Sequence, residues 1–162
     1  MLGRILLTLS ALSQGISPFI ADWNETHIYN PRWPPHAKFH NGQTMSMGVL
    51  LCLVTLYYTW RFPITPTVNR KAKVEKKEQE SETLELRMRK EMRKEMVRDS
   101  MVTAAIAGSL YWIAGLSAIL YPGSRATDPE FGDGFPQAVI FPLFGGMAVV
   151  GAWLEVVGLR GV

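Results

Sequence analysis

The sequence predicts an all-α integral membrane protein: a four-helix bundle with an amphipathic charged helix on its cytoplasmic side. Three observations carry that reading. Four apolar stretches, Ile5–Ala21, Thr44–Trp60, Met101–Tyr121 and Ala138–Gly158, each come close to the length that crosses ~30 Å of hydrocarbon at ~1.5 Å per residue, the first two at the short end. Charge is blocked: 12 of the 17 Lys and Arg lie between Arg61 and Arg98, and 8 of the 14 acidic residues lie within 61–99, so the remainder is nearly uncharged. Small residues recur in the last two stretches, as close helix approach in a membrane requires. At 162 residues the chain is one membrane domain, with 61–100 as its charged linker.

The first stretch is the most polar, carrying Ser10, Ser13, Gln14, Ser17 and Pro18. An unpaired amide in hydrocarbon costs a few kcal/mol, roughly, so Gln14 is expected to face a partner helix. A cleaved signal peptide, with Arg4 as its charged n-region and Gly15-Ile-Ser17 or Phe19-Ile-Ala21 as the cleavage site, is the competing reading, and three further spans argue for retention.

Between the first two stretches lie all three histidines, His27, His36 and His40, within Asp22–Asn41. Pro34-Pro35 reads as a helix start, because a first-turn proline sacrifices no hydrogen bond. The helix that follows places His36, His40, Gln43 and Met47 on one face, with the two imidazoles side by side. Asn41-Gly42 is a turn signal that competes with this continuity.

Pro63 and Pro66 end the second helix. Beyond Lys71 the chain is a dense mixture of Lys, Arg and Glu, in which Leu84, Met88, Met92 and Met96 recur every fourth residue. Glu85 with Arg89, and Arg87 with Glu91, have the spacing of helical ion pairs. The segment is expected to lie on the lipid headgroups or to dock a partner protein, and to run into the third span.

Gly108 and Gly115 share a face of the third span, and the fourth contains Gly145, Gly146 and Gly151. Their connection, 122–136, holds Asp128, Glu130 and Asp133. Glu155, the one acidic residue inside a span, is explained by snorkelling or by pairing with Arg160, or else by function.

The Lys and Arg bias puts 61–100 and both termini in the cytoplasm and the two loops on the lumenal side, the endoplasmic reticulum being the expected membrane. Cys52 is a single cysteine, which excludes an intramolecular disulfide and a cysteine metal site.

Two loops on one face would therefore gather His27, His36 and His40 with Asp22, Glu25, Asp128, Glu130 and Asp133. An imidazole opposite a carboxylate of different protonation is the requirement of general acid–base chemistry. The catalytic candidates are His36, His40 and His27 with Asp22, Asp128 and Glu130. Trp23, Trp33, Asn24, Gln14 and Gln43 are candidates for substrate contact. A histidine pair at i, i+4 also suits a metal, but the glutamate of H-E-x-x-H and a third ligand are missing, so no metal is expected. No Rossmann, P-loop, G-x-S-x-G or CxxC pattern occurs, and no cofactor is expected. A structural role competes throughout: Trp23, Tyr29 and Trp33 are ordinary interface aromatics, and loop His and Asn side chains commonly tie down exposed backbone. Asn24-Glu-Thr26 is a glycosylation sequon too close to the first span for use.

The run Asp22-x-Asn24-x-Thr26-His27-x-x-Asn30-Pro31-Arg32-Trp33-Pro34-Pro35-His36-Ala37-x-Phe39-His40 resembles a family of small four-span membrane proteins of unassigned function in fungi and bacteria. Its fungal members occur beside biosynthetic genes for polycyclic metabolites, including cyclised polyketide–amino acid hybrids. The resemblance covers the whole layout. In architecture alone the chain also looks like emopamil-binding sterol isomerases and small fungal membrane terpene cyclases, without their motif spacings.

Two expectations follow. One is a cofactor-independent cyclase or isomerase acting on an apolar secondary-metabolite intermediate. The other is a non-catalytic or co-catalytic subunit of a membrane biosynthetic complex. The bilayer, an apolar small molecule and other membrane proteins are the expected partners; nucleic acid is not.

Overall fold

A computed structural model describes residues 1–63 and 84–159, apart from the side chains of 85 and 86. The described chain is all-helical: α1 Leu2–Asp22, α2 Pro35–Trp60, α3 Leu84–Ser117 with a short 3-10 turn Ala118–Leu120 after it, and α4 Gln137–Gly158. The helices form a four-membered ring in which each packs on its two chain neighbours and α4 closes back on α1. Leu7, Met101, Ala104, Ala148 and Ala152 form the centre of a small core.

Most large apolar side chains point outward. Ile16 is 53% exposed, Leu53 59%, Ile113 59% and Val139 73%, a surface that suits lipid. Three helices, in the ranges Leu2–Asp22, Arg87–Leu120 and Gln137–Gly158, are long and apolar enough to cross a membrane. The 26-residue α2 has the length, but its first turns carry His36, Lys38, His40, Asn41 and Gln43.

Close approach replaces bulk between the helices. At the α1–α4 crossing, a Cβ on Gly151 would lie 2.6 Å from the Gly3 carbonyl oxygen. At the α1–α2 crossing, Gly48 sits so close to the Gln14 carbonyl oxygen that any side chain would collide with it. Pro18, inside α1, has no N–H to give that carbonyl, so the proline frees the site on which α2 rests. Gly108 approaches Ala148, and Gly115 approaches Phe141.

Gln14 is fully buried, as expected, with Nε2 donating to Thr55 Oγ1 at 3.2 Å. Ser10 Oγ donates to the Gly108 carbonyl at 3.1 Å and accepts from Trp112 Nε1 at 3.3 Å. Cys52 is buried opposite Gly15, a packing role.

At the opposite end from the α1–α2 and α3–α4 loops, Glu155 pairs with Arg4, Nε to Oε2 at 3.4 Å, and Arg4 Nη1 donates to the Phe62 carbonyl at 2.7 Å. Glu155 thus meets two cations, Arg4 on α1 and the Met1 ammonium, which donates to Oε1 at 2.8 Å; Arg160, the sequence-local candidate, lies outside the described residues. Arg61 Nε donates to Ser100 Oγ at 2.7 Å, which in turn donates to the Tyr58 carbonyl, tying α2 to α3.

α3 runs 34 residues without a break, roughly 51 Å at 1.5 Å per residue. Its charged portion up to Met96 therefore continues the axis of the apolar portion, since it contains neither proline nor a π-bulge to turn it. Leu84, Met88, Met92 and Met96 are exposed along it. The Glu85–Arg89 pair and the linker before residue 84 fall outside the described side chains.

Candidate functional site

The α1–α2 turn is built by short side chains bonding their own backbone. Asn24 Nδ2 donates to the Ala21 carbonyl at 2.8 Å, while its Oδ1 accepts from the Thr26 N–H at 2.8 Å and the Thr26 hydroxyl at 2.6 Å. Asn30, buried, accepts the Arg32 N–H at 2.9 Å. These Asx turns satisfy a helix C-terminus and reverse the chain within a dozen residues.

That turn positions His27. Its Nδ1 lies 2.6 Å from Thr26 Oγ1, its ring stands edge-on to Trp33 at 4.7 Å, and its Nε2 is 3.9 Å from Asp22 Oδ1. The other Asp22 oxygen accepts from Asn41 Nδ2 at 2.8 Å. Asp22 is thus held between an imidazole and an amide, at the junction of α1 and α2.

Asp22 also borders a cleft of about 830 Å³ between the four helices at the loop end. Its walls are mainly apolar, with Met47, Leu51, Ala114, Ile140 and Phe141 among them. Tyr111, Thr44 and Gln43 add polar groups, and Ser124, Arg125 and Gln137 lie along the α3–α4 side. The volume is in the range of small-molecule sites, roughly 300–1,000 Å³.

His36 and His40 do pair, Nε2 to Nε2 at 3.0 Å, on an α2 that starts at Pro35 and continues through Asn41-Gly42. Both are exposed, and neither lines the cleft nor meets a carboxylate. They reach it only through Gln43, whose Oε1 lies 3.2 Å from His40 Nδ1.

The two loops do meet. Glu130 forms an ion pair with Arg32 and accepts from Asn30 Nδ2 at 3.4 Å. Asn30, Arg32, Trp33, Asp128 and Glu130 enclose a separate crevice of about 400 Å³. Glu130 is therefore a loop-clasp residue and Asp128 lines the crevice beside it, both distinct from the Asp22–His27 pair. Trp23 donates to Tyr29 Oη at 2.6 Å on the surface, Asn24 is committed to the turn, Glu25 and Asp133 are exposed, and Gln14 lies deeper in the bundle than the cleft. Among the described residues no three His, Cys, Asp or Glu gather as metal ligands.

Asn41, Tyr111, Ser124, Arg125 and Gln137 were not singled out by sequence reasoning as site residues. No local signal marks Asn41 among the other polar residues of the first turns of α2, and all five are placed by tertiary packing.

Residues 6–80 and 87–162 match the profile of DUF6640, a family of unknown function, and the chain belongs to that family. No curated protein and no solved structure matches it.

Proposed function

We propose that this DUF6640 member is a membrane-embedded, cofactor-independent isomerase or cyclase acting on an apolar secondary-metabolite intermediate. In that reading all four helices span the bilayer, both termini are cytoplasmic, and the cleft opens on the lumenal side of the endoplasmic reticulum. The observation that carries it is Asp22, held by Asn41 and His27 at the border of an apolar cleft of about 830 Å³.

The chemistry follows from that placement. The Asp22 carboxylate takes a proton from an activated carbon or hydroxyl of the substrate and, as the carboxylic acid, returns it at another position. His27, which stands beside Asp22 and not on the cleft wall, supports its charge. Substrate and product are then isomers, and no electrons are exchanged. Apolar walls keep water from the intermediate and strengthen the local field.

The test is complementation of a deletion strain by wild type, Asp22→Asn and His27→Ala, followed by metabolite profiling. The expected result is loss of one product and accumulation of a compound of identical elemental formula, with normal protein levels. An accumulated compound differing by two hydrogens or an oxygen, or undiminished product in both variants, overturns the reading.

A second reading, a subunit that recruits partner proteins, is supported by the exposed Met88, Met92 and Met96 on the projecting part of α3. Met-rich helical faces suit adaptable protein contacts. Product that disappears on Met88, Met92 and Met96→Ser, yet survives Asp22→Asn, selects this reading over the first.

A further inference from the structure

A carboxylate such as Asp22 is too weak a base for an ordinary C–H bond. The negative charge it creates on the substrate must be received by a hydrogen-bond donor elsewhere on the cleft wall. Most polar groups of that wall are engaged, sealed or open to water. Thr44 Oγ1 donates to the His40 carbonyl at 3.1 Å, and Gln137 Nε2 to the Ala126 carbonyl at 3.0 Å. Ser124 Oγ is buried out of a ligand's reach, Gln43 and Arg125 are exposed, and Ser17 lies on α1 with the base itself.

Tyr111, on α3, meets the requirement. Its hydroxyl has no hydrogen-bond partner among the described residues, yet it is not sealed in the protein, so a ligand in the cleft can reach it. A phenol that is largely covered ordinarily finds a partner. The ring is held in place: it stands edge-on to Trp112 at 5.2 Å between centroids and lies 6.5 Å from Phe141, and Trp112 is 1% exposed. The Asp22 charge bears on this hydroxyl, but the two do not bond each other, because Asp22 is taken up by Asn41 and His27. Base and donor thus face one apolar cleft with room for a substrate group between them.

Resting on the isomerase reading above, we infer that Tyr111 is a further catalytic residue and that the substrate is an apolar ketone whose carbon–carbon double bond lies one carbon away from conjugation. Asp22 takes a proton from the carbon between the carbonyl and the double bond. The C–H pair forms a new C=C, the carbonyl π pair moves onto oxygen, and the Tyr111 hydroxyl donates to that oxygen. Asp22, now the acid, delivers the proton to the far carbon of the original double bond, and the pair on oxygen re-forms the carbonyl. The double bond has moved into conjugation, with no electrons exchanged and no co-reactant.

The test takes the compound that accumulates in the deletion strain and gives it to the full-length protein in phosphatidylcholine nanodiscs, as wild type and as Tyr111→Phe. That variant keeps the ring against Trp112 and Phe141 and removes only the oxygen, so it should melt within a degree or two of wild type. The accumulated compound should show a ketone carbonyl in the infrared, and its product the ultraviolet absorption of a conjugated ketone. Tyr111→Phe should lower kcat about a hundred-fold, as loss of one oxyanion donor does, and leave KM within about three-fold. A second readout needs no turnover: the carbonyl stretch of bound product should lie at lower frequency in wild type than in Tyr111→Phe. A wild-type kcat in the variant, a raised KM at unchanged kcat, equal carbonyl frequencies, or an accumulated isomer without a carbonyl each overturns the assignment. The isomerase reading survives any of these if Asp22→Asn still loses product; an accumulated compound of different formula overturns both.

Discussion

Asn41 Nδ2 donates to Asp22 Oδ2 at 2.8 Å, joining the last residue of α1 to the second turn of α2. The bond fixes which carboxylate oxygen faces His27. Asn41→Ala should remove it, cost about 2 kcal/mol as a hydrogen bond to a charged group, and lower product formation at least ten-fold. Thermal unfolding in detergent and metabolite profiling measure the two effects. Unchanged product would mean that Asp22 needs no orientation by Asn41.

Gly3 and Gly151 face each other where α1 crosses α4. Gly151→Leu should destabilise the bundle by about 3 kcal/mol or more, because backbone and not a flexible side chain must move. Gly146→Ala and Gly158→Ala, where an added Cβ meets nothing within 4 Å, should melt within a degree or two of wild type. If all three behaved alike, the crossing would be misplaced.

Arg4 and Glu155 leave each other little water, at 5% and 16% side-chain exposure. Glu155→Gln strands the buried Arg4 and should cost about 3 kcal/mol, whereas Arg4→Met leaves Glu155 its Met1 ammonium at 2.8 Å and should cost less. The double variant Arg4→Met with Glu155→Leu should recover most of the loss. A double-mutant cycle with no coupling would show that the pair does not hold α1 to α4.

Topology is open to labelling, because Cys52 is buried and gives little background. With Cys52 retained, Glu91→Cys should react with an impermeant maleimide from the cytoplasmic side and Thr127→Cys only once the lumen is opened. The reverse pattern would invert the orientation and move the cleft to the cytoplasm.

Much of this architecture was legible in the chain because it rests on local rules. Apolar length and blocked charge mark the helices; Pro35 begins α2 and the four-residue spacing puts His36 beside His40. Gln14 faces inward because hydrocarbon leaves an amide no alternative. Tertiary structure alone decided what lies across from what. Helical spacing places side chains on a face but does not say which neighbour the face meets, since that depends on where backbones cross. The crossings are set by contacts such as Gly48 on the carbonyl that Pro18 leaves free. They separate the exposed histidine pair from every described carboxylate, give Asp22 to His27 and Asn41, turn Glu130 toward Arg32, and pair Glu155 with Arg4. The cleft has the same origin: the four helices enclose space at the loop end, and no stretch of sequence carries the shape of a gap between elements.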